Sequence, residues 1–317
     1  MEKVKLRNIN SALEAEYDIF ICSASFEERC LSIPSKIKRK KIEKVILLEN
    51  LNGSERLRSN KEQIEKMFTK NVSCISLDFN DSLSMASNIS KEISLEKRTT
   101  KMSVLIDITT FTHEVLLLCL RLLRDNKKVK SITCVYNNAS EYCPGVDVEK
   151  KWLSQGAELI HPILGFPGMN LPARKNHLII IVGYEYSRAF KAISDIEPSS
   201  ITLIYGTSNS SLTDKDKEAN RVYKNLVEEM AFEYENIEEN AIPCNDPDAI
   251  VAELDKICSI HPDKNILILP LNNKMSTLGV FLFTQKNEEP QVCYAPAILY
   301  NEENYSSPGN DCYIYKL

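Results

Sequence analysis

The segment Ser103-Val104-Leu105-Ile106-Asp107-Ile108-Thr109-Thr110-Phe111-Thr112-His113-Glu114 sets a continuous apolar run against a cluster of hydroxyls, a carboxylate and an imidazole. An uninterrupted apolar run bounded by polar residues is the pattern of a strand covered on both faces, as in a parallel sheet. Phe111 to Asp125 then carries apolar residues at helical spacing. This strand, junction and helix form one unit of an α/β alternation, and the same alternation extends in both directions.

Upstream, strands are expected at 17–23, 44–49 and 72–77, with helices at 26–38, 54–70 and 82–95. Downstream of the 103–108 strand, another is expected at 131–136. The order then starts again: strand 177–182, helix 186–196, strand 200–205, helix 214–232, strand 241–244, helix 246–260 capped by Asn245 or Asp246, strand 265–269, helix 274–285 and strand 291–294. Ile19 and Ile179 lie 160 residues apart, Leu105 and Leu267 162, and Ile132 and Cys293 161. So constant a spacing reads as an internal duplication. The expected fold is α/β, two tandem Rossmann-like domains, each a mainly parallel five-stranded sheet with helices on both faces.

The domains are expected at 1–137 and 176–295. Residues 138–175, rich in Pro and Gly, read as a linker packing on the first domain through Trp152 and 160–164. Residues 296–317 read as an irregular tail or closing hairpin. The apolar fraction of 43% and charged fraction of 26% are those of an ordinary globular chain.

Neither an apolar run of about eighteen residues nor a signal-peptide core is present, so a cytoplasmic protein with no membrane partner is expected. Most of the ten cysteines sit in apolar segments without metal-site spacing, and the four histidines form no ligand set, so no metal and no cofactor are expected. Residues 1–174 carry 27 basic against 22 acidic side chains, and 175–317 carry 12 against 22. The basic run 36–41 is read as a solvated helix end rather than a nucleic-acid contact.

In an open α/β sheet the ligand lies beyond the carboxyl ends of the strands where strand order reverses, at the loops after the first and fourth strands of each copy. Those loops are polar here. The first reads Ser23-Ala24-Ser25-Phe26-Glu27-Glu28-Arg29, and its counterpart Gly183-Tyr184-Glu185-Tyr186-Ser187-Arg188. Small residues admit an anion to backbone amides, and each Arg reads either as a phosphate partner or as half of an internal Glu-Arg pair. The fourth-strand loops offer Asp107, Thr109, Thr110 and Thr112 in one copy and Asn272, Asn273 and Lys274 in the other. These are donors and acceptors for phosphate or ribose, or alternatively helix caps. Glu27, Glu185 and His113 are the catalytic candidates should the chain be an enzyme.

The stretch from Val104 to Glu114 resembles the strand-four motif of CARF domains, Rossmann-like sensors of cyclic oligonucleotides in CRISPR-linked defence. That motif ends its strand in Asp-x-Thr, followed by two glycines, Thr and Lys. Asp107, Thr109 and Thr112 match, while Thr110 and Phe111 stand at the glycines and His113 at the lysine. In the second copy Lys274-Met275-Ser276 looks like the family's Lys-x-Met-Ser ending. The resemblance implies a phosphorylated ligand, a cyclic oligonucleotide, in a composite cleft between two copies, as in the related SAVED domains. It also implies a protein partner that carries the effector activity in bacterial antiviral defence. An enzyme acting on such a ligand, a nuclease or a nucleotide glycosidase, and a ligand-free interaction subunit remain the alternatives.

Overall fold

The computed structural model describes residues 1–38, 40–50, 53–68, 71–94, 100–147, 150–184, 186–207 and 237–317. The chain divides into two compact units, Met1–Ser140 with Ser306–Leu317, and Glu141–Tyr305. The helix expected at 214–232 lies outside the described residues.

The first unit is built on five parallel strands: β2 (Glu16–Ala24), β3 (Lys41–Asn50), β4 (Val72–Leu77), β5 (Met102–Asp107) and β6 (Val129–Tyr142, its last two residues in the second unit). Their spatial order is β4-β3-β2-β5-β6, so the order reverses between β2 and β5. Between them run α2 (Ser32–Ile37), α3 (Glu55–Met67), α4 (Ser82–Ile93) and α5 (His113–Asp125), while the short α1 (Ile9–Ala12) precedes β2. Right-handed crossovers place α2 and α3 on one face and α4 and α5 on the other. Ile33, Ile37 and Ile64 pack with Phe20, Cys22 and Leu47 in one core cluster. Instead of a helix from residue 26, a short 3-10 turn at Glu28–Leu31 precedes α2.

The sheet is widened by two antiparallel strands. The expected irregular tail is corrected: Ser306–Lys316 forms β15, which lies between β6 and β1 (Glu2–Lys5). Ser140 Oγ donates to the Ser307 carbonyl at one end of β15, and Leu317 N–H to the Ile132 carbonyl at the other. Cys312 and Ile314 are buried because alternate residues of β15 enter the core.

The second unit repeats the plan. β9 (Asn176–Ile181), β10 (Ser200–Gly206), β11 (Ile237–Ile242), β12 (Asn265–Pro270) and β13 (Gln291–Tyr294) are parallel in the order β11-β10-β9-β12-β13. Its helices are α6 (Tyr186–Ile196), α7 (Pro247–Ile260) and α8 (Lys274–Thr284). Asp246 caps α7, accepting from Asp248 N–H with Pro247 at the first helical position. The strand expected at 241–244 is shifted to 237–242, an edge position that tolerates Glu238, Glu239 and Asn240.

Residues 141–175 also belong to this unit, so the expectation that they pack on the first domain is corrected. β8 (His161–Pro162) adds antiparallel to β13, and β7 (Ser154–Gln155) pairs with β14 (Leu299–Tyr300). The driving force is the open edge of β13, whose unpaired backbone groups β8 satisfies. Ile160 packs on the core of the second sheet, and Phe166 lies edge-on to Phe281 with ring centroids 6.4 Å apart. No helix among the described residues is long and apolar enough to cross a membrane.

Candidate functional site

In the first unit β2 and β5 are hydrogen-bonded neighbours, so the loops that follow them meet: Thr110 Oγ1 reaches the Ser23 carbonyl at 3.5 Å. The polar residues gathered there are mostly buried and satisfy one another. Arg29, 3% exposed, donates through Nε and Nη2 to Glu27 Oε2 at 2.9 and 2.6 Å, and through Nη1 to the Asn137 carbonyl at 3.1 Å. Ser306 Oγ, brought in by β15, accepts from Arg29 Nε at 3.0 Å and donates to Glu27 Oε2 at 2.7 Å. Of the two readings of Arg29, the internal Glu-Arg pair is the one formed, and its donors point into the fold.

Ser25 Oγ accepts from Glu27 N–H, and Ser23 Oγ donates to the Ala24 carbonyl rather than to an imidazole. Asp107 Oδ1 accepts from both the amide and the hydroxyl of Thr109, at 3.1 and 2.5 Å. Thr109 Oγ1 in turn accepts from Asn137 N–H at 2.9 Å. Burial pushes the Asp107 carboxyl up to about 7, against the two Thr109 hydrogen bonds and the charge of Arg29, which pull it down. Thr112 Oγ1 caps α5 by accepting from Val115 N–H, and His113 is buried in the first turn of that helix. Asn137, not expected as a site residue, is fully buried and ties β6 to β15 through the Gly309 and Asp311 carbonyls.

The corresponding edge of the second unit is more open. The loops after β9 and β12 touch at Gly183, where a Cβ would lie 2.0 Å from the Leu271 carbonyl oxygen, so only glycine fits. Asn272 Nδ2 donates to the Val182 carbonyl, and Asn273 Oδ1 caps α8 by accepting from Met275 and Ser276 N–H at 2.9 and 3.0 Å. Asn272, Asn273 and Lys274 are each half-buried. Glu185 lies outside the described residues.

Arg188 is buried, donates through Nε to the Ala295 carbonyl, and holds its guanidinium 5.4 Å from the centre of the Tyr294 ring. This repeats the Arg29 arrangement. In each copy the arginine after the first strand reaches a main-chain carbonyl of the fifth-strand segment, just past a tyrosine: Asn137 after Tyr136 within β6, and Ala295 after Tyr294 at the end of β13. In this structure both arginines fasten their own sheets.

Beside this edge stands a group that sequence reading passed over. Tyr184, three residues beyond β9, packs its ring on Tyr142 with centroids 5.1 Å apart, and Tyr305 meets Tyr142 edge-on at 6.5 Å. Tyr300 extends the row, 6.5 Å from Tyr305. Beneath it the Lys151 side chain, 1% exposed, donates to the Tyr142 carbonyl at 2.5 Å, with Glu141 Oε1 at 3.7 Å. Tyr142 is buried, whereas Tyr184, Tyr300 and Tyr305 are partly exposed. The row draws on three separate stretches of the chain, and each tyrosine alone reads as an ordinary loop aromatic. Among the described residues no group of three His, Cys, Asp or Glu side chains is placed to hold a metal ion.

No family model and no curated protein matches the chain. Among solved structures, the chain is similar to the cytoplasmic domain of a prokaryotic cation chloride cotransporter at 10% identity, covering 92% of this chain and 98% of that one with a TM-score of 0.27. It is also similar to UDP-GlcNAc 2-epimerase from Neisseria meningitidis at 10% identity, covering 80% and 77% with a TM-score of 0.23. The Rossmann-like assignment stands on the strand order of the two sheets.

Proposed function

We propose that the chain is a nucleotide-binding regulatory protein whose ligand occupies the carboxyl edge of the second unit, and that it signals through a protein partner. The observation that carries this reading is the tyrosine row at Tyr142, Tyr184, Tyr300 and Tyr305, set beside the point where strand order reverses. Partly exposed aromatic rings are the surface on which a nucleobase stacks, worth about 1–3 kcal/mol per base. Lys274 and Asn273, at the start of α8, supply charge and an amide for the phosphates. The finer identity, a cyclic oligonucleotide of bacterial antiviral signalling, rests on the resemblance of Asp107-x-Thr109 and Lys274-Met275-Ser276 to CARF motifs. The partner and the defence setting rest on the same resemblance.

A thermal-shift screen of the full chain against cyclic di-, tri- and tetranucleotides, ATP and NAD tests the reading. One class should raise the melting temperature in a saturable way, as a ligand of the folded state must. Tyr184→Ala should weaken that ligand roughly tenfold or more while leaving the unliganded melting temperature in place. Silence across the panel removes the proposal, and product formation during the incubation replaces it with the enzyme.

A further inference from the structure

At the opposite, amino-terminal edge of the second sheet lies a cavity of about 520 Å³, within the range of small-molecule sites. Three segments build it: Arg174 before β9, His261 and Lys264 between α7 and β12, and Gln285 and Lys286 after α8. Ile266 and Phe283, both buried, contribute apolar wall. Three fixed cations therefore converge from separate parts of the chain. Among the described residues no carboxylate pairs with Arg174 or Lys286, and Lys264 Nζ meets only the Ser199 hydroxyl at 3.4 Å.

Lysines that follow helix C-termini offset the helix dipole, and that ordinary role accounts for Lys264 and Lys286. It does not account for Arg174, which follows no helix. Gln285 Nε2 and His261 Nε2 are both buried without a hydrogen-bond partner. The His261 ring stacks on His177 at 3.9 Å between centroids, and its nearest opposite charge is Glu238 Oε1 at 3.7 Å. Glu288 and Glu289 stand exposed among the lining residues, so the three cations leave one positive charge in excess.

We infer that this cavity is a second binding site, for a small polyanion that brings carboxylate or phosphate oxygens to Arg174, Lys264 and Lys286. It is separate from the nucleotide site proposed above. Isothermal titration of the full chain at low ionic strength, with pyrophosphate and separately with citrate, tests it. At least one should bind saturably, and which one does identifies the oxygen chemistry. The Arg174→Gln/Lys286→Gln double variant should weaken binding at least tenfold with its melting temperature unchanged, because neither side chain is in the core. Tyr184→Ala should bind the same probe with unaltered affinity. No saturable binding of either anion at millimolar concentration, a double variant that binds like the parent, or loss of binding in Tyr184→Ala would each overturn the assignment.

Discussion

Glu27 and Arg29 are two residues apart, yet what holds them in place comes from the other end of the chain, where Ser306 touches both. Their side chains are 8% and 4% exposed, so removing one leaves the other charge buried and unpaired, a loss of about 3–5 kcal/mol. Glu27→Ala should therefore destabilise the first unit by that order in urea unfolding. A paired Glu27→Leu/Arg29→Met replacement should cost much less, the reverse of what a catalytic carboxylate would show.

Asp107 makes a pH prediction. Its folded value near 7 lies above the ordinary 3.8, so the folded chain holds this proton more tightly than the unfolded chain. The associated stability is fully present below about pH 4, declines as pH rises, and is gone above 7. Each unit is worth about 1.4 kcal/mol, so the window spans on the order of 4 kcal/mol. Asp107→Asn keeps an acceptor for Thr109 and should remove this component from the pH dependence of unfolding; an identical profile for both proteins would exclude it. The placement of Asp107 and Thr109 at a strand-to-helix junction was legible in the sequence, since an apolar run ends there in polar residues. The Thr109 partner Asn137 was not, because a hydrogen bond to a distant strand leaves no local pattern.

Elements were legible where burial imposes a period. β4 (72–77), α6 (186–196) and β13 (291–294) fall where apolar spacing placed them. The shift of β11 to 237–242 shows where that signal fades: an edge strand buries little, so its side chains need not alternate. Packing between elements gives a sharper test. Gly279 lets α8 approach α7 so closely that a Cβ would lie 2.5 Å from Ile250 Cβ and 2.8 Å from the Pro247 carbonyl. Gly279→Ala should be destabilising despite alanine's better helix propensity, because the clash is with backbone and a buried core residue. Asn273→Ala removes the cap of the same helix and should cost about 1 kcal/mol, with Asn273→Asp near neutral. Equilibrium unfolding of the three variants measures both effects.

For the whole molecule, the last strand is the decisive feature. β15 supplies Cys312 and Ile314 to the first core, Ser306 to the Arg29 pair, and main-chain acceptors to Asn137. A chain ending at Tyr305 should lose hydrogen-exchange protection in β5 and β6 while β9 and β12 of the second unit keep theirs; retained protection in β5 and β6 would contradict the assignment. The second unit should respond to pH in the opposite sense from Asp107. Burial, with the charges of His261 and Lys264, lowers His177 to about 4. Its contribution is present above about pH 6.5 and is lost as pH falls through 4.

By itself the sequence determined the alternation of strands and helices, their doubling at a spacing near 161 residues, and the junctions at which polar groups gather. Hydrophobic period and helix capping act over a few residues and are written locally. Only the tertiary structure decided that Arg29 and Arg188 turn inward, that residues 306–317 complete the first sheet and 141–175 the second, and that four scattered tyrosines form one surface. Those outcomes depend on which open sheet edge or buried charge a distant segment satisfies, and that is settled by the free energy of the assembled fold rather than by any neighbouring residue.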